Sequence, residues 1–100
     1  MTKEEIEQMQ GFTMLEFGAS WCGHCQAAQA TISKALVNYA NVKHIKIEDA
    51  KGQRLGRQYS VKLWPTLVFL KDGVEMTRFV RPTHEALILE ALNTLAKQVT

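Results

Sequence analysis

The stretch that decides the fold runs Phe17-Gly18-Ala19-Ser20-Trp21-Cys22-Gly23-His24-Cys25. It holds both cysteines of the chain, and the hydrophobic period changes across it. Before it, Phe12 to Ala19 carries apolar residues on both alternating faces, with Leu15, Phe17 and Ala19 on one and Met14, Glu16 and Gly18 on the other. A strand covered on both sides within a sheet reads this way. Glu16 is its exception. After it, Cys25, Ala28, Ile32, Ala35, Leu36 and Tyr39 recur at helical spacing. The two cysteines therefore sit where a strand becomes a helix.

That position has chemical consequences. Cysteines three apart at a helix start lie one turn apart, close enough to close a disulfide with little backbone movement. Cys22, at the N-terminus, faces unpaired N–H groups and the positive end of the macrodipole. A thiolate is stabilised there, so Cys22 becomes both a nucleophile and a good leaving group near neutral pH. Cys25, inside the first turn, is expected to be more buried and slower to attack. Two other readings of the pair are inert structural cysteines and half of a metal site. A metal site needs four ligands, and His44 and His84 show no paired spacing. They read as surface residues, and no metal is expected.

Working outward, one hundred residues suffice for one domain. Residues 3–10 read as a short acidic helix ended by Gly11. Val42 to Glu48 alternates, with Ile45 and Ile47 on one face, and reads as a second strand. Residues 51–59 suit a short polar helix held by Leu55 and Tyr59. A third strand, residues 66–70, starts directly after Pro65, and Lys71-Asp72-Gly73-Val74 is a hairpin signal that returns residues 74–80 antiparallel. Pro82-Thr83 opens a last helix with Thr83 as N-cap, Glu85 in the first turn, and a stripe of Ile88, Leu92, Leu95 and Val99. The order αβαβαββα makes an α/β fold: a central mixed sheet of about four strands with helices on both faces.

Composition excludes several classes of function. The formal net charge of +2 is spread along the chain and leaves no nucleic-acid footprint. No apolar run approaches the ~18 residues of a membrane span. No glycine-rich phosphate loop follows a strand, so no organic cofactor is expected. The acidic start, Met1-Thr-Lys-Glu-Glu-Ile-Glu7, lacks the apolar region of a secretory signal. A cytoplasmic address is expected if Met1 is the native start, and an exported one if the sequence was trimmed.

Trp21-Cys-Gly-His-Cys25, with Trp64-Pro65-Thr66 and the Lys71-Asp72-Gly73 hairpin downstream, resembles the thioredoxin superfamily over roughly residues 12 to 96. The resemblance implies a thioredoxin-like fold and a protein-disulfide oxidoreductase. Cys22 attacks a substrate disulfide and Cys25 resolves the mixed disulfide. It implies disulfide-containing protein substrates, a recycling reductase or oxidant protein, and a monomer. Pro65 should be cis beside the cysteines, and the backbone before it should pair with an extended substrate segment. Trp21, Gly23, Trp64, Pro65, Thr66 and Arg81 then fall in the substrate-binding region. Trp64 is large for its place and serves either as packing or as an apolar platform. Arg81 stands where many thioredoxins have Gly, and either narrows the groove, selects acidic partners or is a solvated loop cation.

Glu16 matches the family's buried acid, commonly Asp. Burial should raise its pKa, so that it exchanges a proton with Cys25 through water. The family pairs this acid with a lysine; Lys46 is the best match, with Lys43 as the other candidate. His24 distinguishes branches, because Cys-Gly-His-Cys is similar to protein disulfide isomerase domains. Its protonated imidazole would stabilise the Cys22 thiolate and pull toward oxidase or isomerase chemistry. A redox-switched partner-binding module is the alternative outside enzymes.

Overall fold

The computed structural model describes residues 1–82 and 84–97. The chain runs α1 (Lys3–Glu7), β1 (Phe12–Gly18), α2 (Gly23–Leu36), β2 (Val42–Glu48), α3 (Arg54–Gln58), β3 (Thr66–Lys71), β4 (Val74–Val80) and α4 (Glu85–Ala96). The four strands form one sheet in the order β2-β1-β3-β4. β1 pairs parallel with β2 and antiparallel with β3, and β4 is antiparallel to β3. The mixed sheet and the element order agree with the sequence reading.

The alternation along β1 divides the core. Met14 joins Leu67 and Phe69 under α2 and α4, where Ala28, Ile32, Ile88 and Leu92 are buried. Leu15 and Phe17 point the other way, joining Val68 and Leu70 against Ile6 of α1, Leu55 of α3 and Tyr59. Each fully buried Leu or Phe of these layers contributes ~1.5–3 kcal/mol, so both faces of β1 and β3 are fixed. The sheet positions the end of β1 tightly. That end carries the cysteines.

Helix boundaries differ from expectation at three places. α1 stops at Glu7 with Gln8 as its C-cap, short of Gly11. Gly11 instead takes a positive φ of 81° where the chain turns toward β1, its N–H donating to Asp72 Oδ1 at 2.7 Å. α3 is only the middle of the expected 51–59 segment. α4 begins at Glu85 with His84 as N-cap and no side-chain capping bond. The expected N-cap Thr83 and the stripe residue Val99 lie outside the described residues. The hairpin matches its signal: Asp72 and Gly73 both have positive φ, 51° and 81°, the backbone that a two-residue turn demands.

Candidate active site

β1 ends at Gly18, and the next four residues swing Cys22 to the mouth of α2. Cys22 is the N-cap: its Sγ accepts the Cys25 backbone N–H at 3.3 Å, and its own N–H donates to Ala19 O at 3.0 Å. Both cysteines are free thiols, 7% and 5% exposed. Gly18 makes room for them, since a Cβ there would lie 2.7 Å from Cys25 Sγ. The sequence reading did not single out Gly18 as a site residue.

The two thiols are driven apart. Burial pushes the Cys22 thiol up, but its interaction with Cys25, the backbone N–H groups of Cys25 and His24, and the Arg81 charge together bring it below the ordinary thiol value. The same environment acts oppositely on Cys25. Burial, the hydrogen bond with Cys22, and the charges of Cys22 and Glu16 raise it to about 11. Cys22 is therefore the thiol of the pair that ionises first, and Cys25 the one that keeps its proton.

His24 contributes to Cys22 through its backbone N–H. The Arg81 charge is among the influences that lower the thiol. Gly23 opens α2 and has open space around it.

The peptide bond between Trp64 and Pro65 is cis. Thr66 is buried as the first residue of β3, and its Oγ1 donates to Leu63 O at 2.6 Å, so it fixes the loop. Trp64 is half-buried, and its indole N–H donates to Asp49 Oδ2 at 2.9 Å. Its ring meets Trp21 edge-on, centroids 5.4 Å apart. Trp21 is 66% exposed. Trp64 thus combines anchored packing with an apolar face beside Cys22. Asp49, buried at the end of β2, is a site-supporting residue that sequence reasoning missed. A Cβ on Gly56 would collide with its carboxylate, so a glycine in α3 keeps the anchor in place.

Arg81 follows β4 with φ at 51°. A left-handed backbone costs a residue with a Cβ ~1–2 kcal/mol. The Arg81 N–H donates to Pro65 O and its side-chain Nε–H to Trp64 O, both at 2.8 Å. The guanidinium is held on the loop that carries the cis proline.

Glu16 is 4% exposed, beneath the cysteines. Its Oε2 accepts from Gln29 Nε2 at 2.7 Å, and that amide also donates to Cys25 O at 2.9 Å. Its Oε1 lies 2.6 Å from His44 Nε2. Two expectations are corrected here. Burial does push Glu16 upward, but hydrogen bonds from His44 and Gln29 and the charges of His44 and Lys46 outweigh it, and the carboxyl lies below its usual value. Its hydrogen-bonded partner is not a lysine but His44, which is a surface residue as expected. Lys46 is the cross-strand neighbour of Glu16 and lines the same cleft, acting only through its charge. Lys43 has the opposite parity on β2 and is exposed. The cleft, about 280 Å³, joins Glu16 and Cys25 to the surface beside Lys46 and Glu48, with room for water.

The thioredoxin family model matches residues 2–94. The chain belongs to the thioredoxin family. Its fold superposes on that of thioredoxin 2 from Pseudomonas aeruginosa PAO1, solved in its reduced form, with a TM-score of 0.88 and 46% identity, covering 98% of this chain and 91% of that one. It is 33% identical over 70 residues to a thioredoxin of Chlamydia trachomatis, covering 70% of this chain and 69% of that protein. It is 28% identical over 86 residues to thioredoxin H5 of Oryza sativa subsp. japonica, covering 86% and 64%. The chain thus spans about two thirds of the length of these curated relatives. Among the described residues, no group of three or more His, Cys, Asp or Glu is placed to hold a metal ion, and no helix is long and apolar enough to cross a membrane.

Proposed function

We propose that this chain is a thiol–disulfide oxidoreductase that reduces protein disulfides through Cys22 and Cys25. The observation that carries the reading is the split pair: a helix-capping Cys22 held below the ordinary thiol value and a buried Cys25 held at about 11. The Cys22 thiolate attacks one sulfur of a substrate disulfide. The new bond joins Cys22 to that sulfur, and the other substrate sulfur leaves and takes a proton. Cys25 then gives up its proton and attacks Cys22 Sγ, releasing the second substrate thiol. Two electrons pass to the substrate, and the pair becomes a disulfide that a recycling reductase must reopen.

Glu16 is the acceptor in reach of the Cys25 proton, through the cleft both line. Formation of the mixed disulfide removes the Cys22 charge, and with it part of what holds Cys25 protonated. Trp21, Trp64 and the backbone before Pro65 form the docking surface for an extended segment of the partner. A reductase suits a reducing compartment, the cytoplasm, and a monomer that leaves this surface open. The Cys-Gly-His-Cys motif favours the second reading, an oxidase or isomerase.

The test is the pH profile of alkylation, with each thiol followed by mass. Cys22 should react with its midpoint below the ordinary thiol value, and Cys25 should stay silent until about 11. Two thiols titrating together at the ordinary value would contradict the assignment of nucleophile and resolving residue.

A further inference from the structure

The cation at the rim of the docking surface is unusual in three ways. Arg81 occupies a left-handed backbone position that L-residues other than Asn and Asp seldom enter. It is exposed, yet two hydrogen bonds to Trp64 O and Pro65 O tie it to the loop before and at the cis proline. Its charge reaches Cys22, so the guanidinium stands within electrostatic range of the reacting sulfur. Among the described residues it forms no ion pair, and the shallow cleft it lines with His24, Ala27, Ala28, Thr31, Pro65 and Pro82 has no acidic side chain.

We infer that Arg81 is a specificity-determining residue that selects disulfide substrates bearing a carboxylate beside the attacked cysteine. The inference rests on the disulfide-exchange reading and names its substrate class. A guanidinium has five N–H donors in a fixed fork. Only Nε–H is engaged with Trp64, and the fork suits a carboxylate. The apolar floor of Ala27, Ala28 and Pro65 accepts the stem of a Glu or Asp side chain, while Arg81 meets its head. Attack strengthens the match. Once Cys22 joins the mixed disulfide it is neutral, and the guanidinium loses the thiolate it had been neutralising. A substrate carboxylate replaces that negative charge.

Three synthetic peptide disulfides, identical except for Glu, Gln or Lys next to the cysteine, test this in steady-state reduction. The reduced wild-type protein should rank them Glu, Gln, Lys in kcat/KM. Glu should exceed Gln by about threefold to fivefold and Lys by about tenfold at low ionic strength, with compression of the ratios in 1 M salt. Arg81→Gln should bring the ratios close to one, and Arg81→Lys should keep the order with smaller ratios. Because each ratio is taken within one variant, a change in Cys22 thiolate fraction cancels. Equal kcat/KM for the three peptides in the wild type, or a preference that survives Arg81→Gln, overturns the inference. Failure of the wild-type dithiol to reduce any of the three would instead strike the disulfide-exchange reading itself.

Discussion

Replacing Cys22 with Ser is expected to abolish turnover of disulfide substrates, although one thiol remains. The remaining thiol is Cys25, 5% exposed, and burial, the largest influence raising it, persists without the Cys22 charge, so at neutral pH it is a buried and poor nucleophile. Cys25→Ser has a different expected outcome. Cys22 keeps its place at the helix start and the N–H groups around it, so the first attack proceeds and the mixed disulfide accumulates. Non-reducing gels and intact mass after incubation with a disulfide-bonded protein separate the two. Turnover by Cys22→Ser near the wild-type rate would remove Cys22 as nucleophile. A Cys25→Ser variant that formed no mixed disulfide would remove Cys25 as resolving residue.

Glu16→Gln should slow resolution of the mixed disulfide by about 10²-fold, near the low end for a positioned proton acceptor. The low end is expected because Glu16 is a weak base, held below its usual value despite its burial. The sign of the effect is informative. If Glu16 acted only as a negative charge, its removal would lower the Cys25 thiol, since that charge is among the influences raising it, and resolution would quicken. His44→Ala is the companion variant: losing its hydrogen bond and charge raises the Glu16 carboxyl, making it a stronger acceptor. Single-turnover rapid mixing with a preformed mixed disulfide measures resolution apart from the first attack. Slowing by Glu16→Gln without slowing by His44→Ala is the expected pattern, and acceleration by Glu16→Gln contradicts the acceptor role.

The junction at Cys22 was legible because the period changes from two to 3.6 across four residues, and no tertiary contact is needed to see that. The partner of Glu16 was not. Alternation places His44, Lys46 and Glu48 on the face that Glu16 shares, and register pairs Glu16 with Lys46. Favouring the registered neighbour selects lysine. The long Glu side chain instead meets a diagonal neighbour two residues back along β2, and only packing under Gln29 decides that. Parity in the sequence sets Lys43 on the opposite face from Glu16 and His44 on the same face. The lowering of Glu16 was hidden for the same reason: burial is readable from a strand pattern, whereas the bonds that offset it come from α2 and β2.

The end of β2 shows a similar limit. Asp49 follows Glu48 as one more acid in the sequence, and its importance appears only when Trp64 arrives from the other side of the fold. Arg81 is visible in the sequence as a departure from the family's Gly, with three readings open. The Nε–H bond to Trp64 O favours the two groove readings, because it holds the exposed guanidinium beside the cis proline.

The most direct test of the central claim is the equilibrium of the Cys22–Cys25 pair across graded thiol/disulfide buffers, read by alkylation and mass. The reductase reading predicts a single reversible intramolecular disulfide with a midpoint near that of thioredoxin, ~−270 mV. A midpoint near the isomerase value, ~−180 mV, would contradict it and assign the protein to disulfide donation or shuffling.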